Sequence, residues 1–200
     1  ERQALGALVI TASHNPPEWL GLKIKGPLGG SVQGDSTEAV ERRLHAGGIT
    51  IPAHCSPKRF DFRKEHLNGL NEKFDLEGLS EKLRSMGMKI IVDPMHGSAA
   101  GCIGELLDPG SEGLVQEIRS NRDSLFGGNS PEPLPPNLKL LINEVKRSSE
   151  AGHKSLGLVF DGDGDRIAAI DEKGSFCSTQ LLMPLLIDHL ARVKKIPGCV

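Results

Sequence analysis

The chain has 200 residues, 38% of them hydrophobic and 25% charged, a balance that suits one large soluble globular domain or two small ones. With 24 Lys and Arg against 26 Asp and Glu, the formal net charge is −2, so no general attraction to nucleic acid or to an anionic membrane is expected. Aromatics make up 4% with no tyrosine, which argues against base-stacking on single strands, and no apolar run is long enough to span a bilayer.

In chain order, A-L-V-I-T (7–11) predicts a buried strand. It runs into S-H-N-P-P (13–17), where two prolines stop both helix and sheet and set a rigid turn. L-K-I-K-G (22–26) follows; as a strand it would carry Lys23 and Lys25 on one side. Residues 36–46 predict a helix capped by Ser36 or Thr37. The segment 52–75 reads as a connection plus one helix over D-F-R-K-E-H-L-N-G-L. Residues 76–86 repeat Leu76, Leu79, Leu83 and Met86 at helical spacing.

Strands are predicted at 89–93, 114–118, 156–160 and 167–171, with a glycine-rich turn and a helix after the first. The link G-G-N-S-P-E-P-L-P-P (127–136) can be neither helix nor central strand, and Pro131, Pro133, Pro135 and Pro136 predict an extended connector. A helix over 137–149 is expected to start at an Asn137 cap and to space Leu138, Leu141, Ile142 and Val145 on one face. Another spans 180–192, with Pro184 limiting its first turn. Alternating strands and helices predict α/β layers around a mostly parallel sheet.

Cys55, Cys102, Cys177 and Cys199 form no C-x-x-C pair and sit near no spaced histidines, which argues against zinc. Scattered thiols suit a reducing, cytoplasmic setting. The opening E-R-Q-A-L-G lacks a signal-peptide pattern, and both ends read as cut, so a piece of a longer protein is expected.

The strongest chemical signal is L-V-F-D-G-D-G-D-R-I-A-A-I-D (158–171). Asp161, Asp163 and Asp165 repel one another unless a cation neutralises them. The intervening glycines let the loop curl around an ion, and an all-oxygen donor set favours Mg²⁺ or Ca²⁺. Arg166 could offset part of the charge or hold an anionic substrate. Two plainer readings compete: a solvated acidic turn, and an EF-hand, whose first, third and fifth positions the aspartates match and whose twelfth Glu172 matches. Against the EF-hand, Arg166 stands where that loop needs glycine, and the flanks read as strands.

Ser13 could be a nucleophile if activated, but His14, its neighbour in sequence, does not by itself imply a dyad. On local chemistry alone, a plain turn with Ser and Asn capping backbone groups is favoured. The metal loop shifts that balance: acids, a serine and the cations Lys23 or Lys25 together suggest phosphoryl transfer.

At these residues the chain resembles the α-D-phosphohexomutases. T-A-S-H-N-P-P-E-W-L-G-L-K-I-K-G-P (11–27) resembles their phosphoserine loop and D-G-D-G-D-R (161–166) their magnesium loop; V-D-P-M-H-G-S-A-A-G (92–101) and G-G-N-S-P-E-P-L-P-P-N-L (127–138) are similar to their second domain. The resemblance implies three-layer α/β domains with mixed sheets, present here incompletely: 1–73 the later part of the first, 74–171 the second, 172–200 the start of the third. It implies interconversion of hexose 1- and 6-phosphates, of glucose or mannose, through a phosphoserine and a hexose 1,6-bisphosphate. Phosphoglucosamine mutase is the alternative sugar reading. Carried over, Ser13 would be the phosphoserine and a magnesium ligand with Asp161, Asp163 and Asp165. His14 and Lys23 would act in acid–base or charge-stabilising roles, and Arg166 would lie close to the reacting phosphate.

Leu20 departs from the family, many of whose members have Asn there. An early arginine-containing segment, an E-x-S-G-H-like sugar loop and a late serine/threonine-rich phosphate loop are absent from the sequence. The chain alone is therefore expected to be inactive or nearly so. A non-catalytic metal or sugar-phosphate binding module and a calcium protein are the competing classes. Of the remaining residues, His96 is expected in a packing turn rather than a phosphate-binding one, Trp19 as an anchor of the serine loop on the core in preference to lining the cleft, and His45, His54, His66, His153 and His189 at the surface.

Overall fold

A computed structural model describes residues 4–48 and 56–198. His54, Cys55 and Cys199 fall outside them. The described residues form two sheets. The smaller pairs β1 (Ala7–Ile10) antiparallel with β2 (Leu22–Lys25), and α1 (Gly34–Ala46) follows. The larger, built from β3 (Met88–Asp93), β4 (Val115–Glu117), β5 (Lys154–Phe160), β6 (Ile167–Ile170) and β7 (Phe176–Cys177), has the order β4-β3-β5-β6-β7. Its helices are α2 (Phe62–Lys73), α3 (Leu76–Ser85), α4 (Cys102–Leu107), α5 (Lys139–Glu150) and α6 (Thr179–Asp188).

Strand β3 explains the layering. Its alternate residues point to opposite faces. Ile90 and Val92 pack with Leu114, Leu83, Ile103 and Leu107 beneath α3 and α4. Ile91 packs on the other face with Leu138, Leu141, Val145, Val159 and Ile170, where α5 lies. The result is a three-layer α/β sandwich. Gly157 on β5 makes room for α5: a Cβ there would meet Val145 at 2.9 Å and Leu141 at 3.2 Å.

The sheet is mixed rather than mostly parallel. β3 runs parallel to β4 and β5, but β5–β6 and β6–β7 are antiparallel. The six residues 161–166 between β5 and β6 are too few for a parallel crossover, so the acidic loop is a hairpin connection. Strands on both flanks also remove the EF-hand reading, which needs helices there.

Other expectations shift for local reasons. β1 is not buried: Leu8 is 67% and Ile10 70% exposed, because a two-stranded ribbon shields neither face. Trp19 is 64% exposed among the described residues, so it is not buried as an anchor on the core. α1 begins after Gln33 without a side-chain cap, and Thr37 Oγ1 bonds back to Gly34 O instead. Leu79 and Met86 lie exposed on or beside α3. Asn137 does not cap α5; its amide donates to the Ser130 and Glu132 carbonyls across the preceding link. In that link Pro131 and Pro133 are buried, while Pro135 and Pro136 enter a 3₁₀ turn. Pro184 sits within α6 rather than in its first turn.

His96 lies in a packing turn, its backbone N–H donating to Arg119 O at 2.7 Å. His45, His66, His153 and His189 are exposed, and Cys102 and Cys177 are free thiols. No helix among the described residues is long and apolar enough to cross a membrane.

Candidate active site

The serine loop leaves β1 and meets the acidic loop leaving β5. Ser13 Oγ lies 3.4 Å from Asp161 Oδ2 and 3.3 Å from Asp163 Oδ1, although some 150 residues separate them in sequence. Local bonds shape the serine loop: Thr11 and Gly21 exchange backbone hydrogen bonds, and Asn15 N–H donates to Ala12 O. Ser13 itself adopts a left-handed φ of 56°, unusual for a non-glycine residue and the kind of local strain that collects at functional sites.

Thr11 ties the two loops. Its hydroxyl accepts the Ser13 N–H at 2.8 Å and donates to Asp163 Oδ2 at 3.0 Å. Lys23, on the same face of β2 as Lys25, donates to Asp163 Oδ2 at 3.2 Å, whereas Lys25 is turned to Ser31 Oγ. His14 Nδ1 lies 3.4 Å from Ser13 Oγ. Arg166 donates its backbone N–H to Asp161 Oδ1 at 3.1 Å, and its Nε is 3.9 Å from Asp161 Oδ2. The structure thus brings Ser13, His14, Lys23, Asp161, Asp163 and Arg166 together. The side chain of Asp165 is the exposed third member of the acidic group.

The aspartates differ in electrostatics. Asp161 is fully buried, and that burial, together with repulsion from Asp163 and Asp165, pushes its carboxyl above the ordinary value. Partial burial acts on Asp163 the same way, but hydrogen bonds from Lys23, Thr11 and Ser13 outweigh it and hold its carboxyl below that value. One oxygen from each aspartate lies within 4.8 Å of the others. A buried acid beside two like charges, the three offering carboxylate oxygens as ligands, fits a hard divalent cation, which binds oxygens at about 2.0–2.6 Å.

Three glycine contacts seat the loops on each other. A Cβ at Gly162 would lie 2.5 Å from Ser13 O and 2.9 Å from Pro131 Cγ; one at Gly97 would lie 2.6 Å from Gly162 O. Gly164, with φ 76°, packs over Ser98. The motif D-P-M-H-G-S therefore serves as the floor under the acidic loop, with Ser98 N–H donating to Gly162 O at 3.0 Å. Leu20 is 79% exposed. Sequence reasoning missed Thr11 and Glu132. Both stand inside stretches that carry the resemblance, but neither was singled out: Thr11 closes an apolar run, and the segment around Glu132 was read residue by residue only for its prolines.

Comparison with known proteins agrees with this architecture. The family profile for phosphoglucomutase/phosphomannomutase, alpha/beta/alpha domain II, matches residues 64–174, and that for alpha/beta/alpha domain I matches residues 1–49. A Methanothermobacter thermautotrophicus protein assigned as a phosphoglucosamine mutase is 30% identical over 186 residues, covering 92% of this chain and 38% of its own. The phosphoglucosamine mutase of a Synechococcus species is 29% identical over 196 residues, covering 98% and 40%. The crystal structure of a Thermus thermophilus protein assigned as a phosphomannomutase superposes with a TM-score of 0.80 at 29% identity, over 96% of this chain and 42% of that one. The chain spans about two fifths of the length of these relatives.

Proposed function

The chain belongs to the phosphoglucomutase/phosphomannomutase family, and from that premise we propose that it carries the phosphoserine half of a mutase that interconverts hexose 1-phosphates and 6-phosphates. The observation that carries this reading is the contact of Ser13 Oγ with both Asp161 and Asp163. In the proposed division, 1–73 belongs to the first domain, 74–171 to the second and 172–200 to the third. Without an E-x-S-G-H-like sugar loop in its sequence, this chain is inactive or nearly so alone in this reading.

Ser13 rests phosphorylated in this reading, so it needs no permanent base. A hydroxyl of the bound hexose monophosphate attacks the phosphorus and loses its proton, the bond from phosphorus to Ser13 Oγ breaks, and a hexose 1,6-bisphosphate forms; the proton lost by the hydroxyl balances the one that the serine oxygen gains. The leaving serine oxygen takes up a proton, for which His14 Nδ1 is in reach at 3.4 Å. The bisphosphate then presents its other phosphate: Ser13 Oγ attacks that phosphorus and loses its proton, the bond from phosphorus to the sugar oxygen breaks, and the freed sugar oxygen takes up a proton to leave the isomeric hexose monophosphate. Lys23 and Arg166 offset the negative charge that the phosphate adds beside the acids. Asp161, Asp163, Asp165 and the Ser13 phosphate would hold Mg²⁺, which when bound neutralises charge on the transferring oxygens.

Glucose or mannose phosphate is the proposed substrate. Glucosamine phosphate is a second reading, favoured by the name that the curated relatives carry. Turnover of the three 1-phosphates by the full-length protein, with Ser13→Ala as control, tests both. The proposal expects one sugar to be preferred and the variant to be inactive. Magnesium binding without turnover of any sugar would instead mark a binding module.

A further inference from the structure

The proline-rich link does more than connect. Pro131 and Pro133 are buried on either side of Glu132. Pro131 O accepts the Gly162 N–H at 3.2 Å, and the Asn137 amide grips the Ser130 and Glu132 carbonyls at 3.3 and 3.0 Å. With the backbone pinned on both sides, only the Glu132 side chain is free to reach, and it reaches the serine loop. Its Oε1 lies 3.7 Å from His14 Nε2 and 3.9 Å from Arg166 Nη1.

These distances close a ring. Ser13 Oγ touches His14, His14 faces Glu132, Glu132 faces Arg166, Arg166 faces Asp161, and Asp161 returns to Ser13. Glu132 is the one member that contacts both His14 and Arg166, and it belongs to neither loop. A fourth carboxylate beside three aspartates is electrostatically unfavourable unless it serves the cations next to it. Stability alone does not account for it, since ion pairs this exposed contribute little.

Resting on the mutase reading above, we infer that Glu132 is a positioning residue for phosphoryl transfer. It holds His14 against Ser13 Oγ and keeps Arg166 beside Asp161 while the phosphate arrives and leaves. Without it, an incoming phosphate is free to draw Arg166 and the His14 ring into other rotamers. Outer partners of this kind act on rate through the groups they orient.

The test compares Glu132→Gln and Glu132→Asp with wild type in the full-length protein, using glucose 1-phosphate, mannose 1-phosphate and glucosamine 1-phosphate. Glutamine keeps the shape and loses the charge. Aspartate keeps the charge on a shorter stem. For the sugar turned over, Glu132→Gln is expected to lower kcat about 10- to 100-fold, with KM and magnesium affinity changed less than about twofold. Glu132→Asp is expected to recover part of the lost rate. A Glu132→Gln enzyme with wild-type kcat, a loss confined to KM, or an Asp variant no better than Gln overturns the inference. A wild-type protein that turns over none of the three defeats the mutase reading, and this inference with it, whereas an active wild type with indifferent variants defeats the inference alone.

Discussion

Gly162→Ala should separate the two loops without touching any ligand. The new Cβ would lie 2.5 Å from the backbone oxygen of Ser13, well inside ordinary contact of about 3.4 Å, and 2.9 Å from Pro131 Cγ. Neither neighbour yields easily. The first is main chain, and the second is a buried proline whose carbonyl accepts the Gly162 N–H. The serine loop must therefore retreat, carrying Ser13 Oγ from 3.3–3.4 Å to beyond about 4 Å from Asp161 and Asp163. Overpacking of this kind costs about 1–3 kcal/mol. A misplacement near 1 Å lowers the transfer rate about 100-fold. Differential scanning calorimetry and single-turnover transfer of phosphate from Ser13 measure the two effects. Magnesium titration should show the acidic loop still competent, because Asp161 and Arg166 stay bonded to each other through the backbone. An alanine variant with wild-type Tm and transfer rate would refute the account of how the loops meet.

Three further outcomes follow from particular contacts. Lys23→Met removes the cation bonded to Asp163, so phosphoryl transfer should fall about 100-fold or more, while the magnesium Kd, read by calorimetry, should not rise. Asp108 is buried; burial pushes its carboxyl up, but N–H donors from Val115, Glu112 and Gly113 and the Arg84 guanidinium outweigh that and hold it below the ordinary value. The native state therefore favours the ionised form, which adds stability above the ordinary carboxyl range and loses it as pH falls through the depressed value. Asp108→Asn should cost about 3 kcal/mol at neutral pH, and urea unfolding should find the gap from wild type shrinking below about pH 4. Gly157→Ala forces a methyl against Val145, Ile170 and Leu141, and should lower stability by about 1–3 kcal/mol without changing magnesium affinity.

What could be read in the sequence was local. Strands β3, β5 and β6 announce themselves through β-branched runs, and D-G-D-G-D-R announces a loop that concentrates charge. The helical spacing of Leu138, Leu141 and Val145 gave the buried face of α5. What escaped depends on chain segments far apart. Thr11 reaches Asp163 across 152 positions, and its place at the head of the serine motif does not reveal that partner. Asn137 has the chemistry of a helix cap, but a pinned extended link offered it two carbonyls instead. Trp19 was expected inside because its ring is large and apolar, yet no layer of the described structure lies over that turn. The direction of β6 was also hidden, since strand signals carry no sense of direction; only the length of the acidic loop decides it.

The most direct test of the central claim is the mass of Ser13. The full-length protein would be incubated with hexose 1,6-bisphosphate, with and without Mg²⁺, and examined by intact mass and peptide mapping. The account predicts one phosphoryl group, on Ser13, that exchanges with the sugar only when the metal is present. A protein that binds Mg²⁺ at Asp161, Asp163 and Asp165 but never carries phosphate on Ser13 would contradict it.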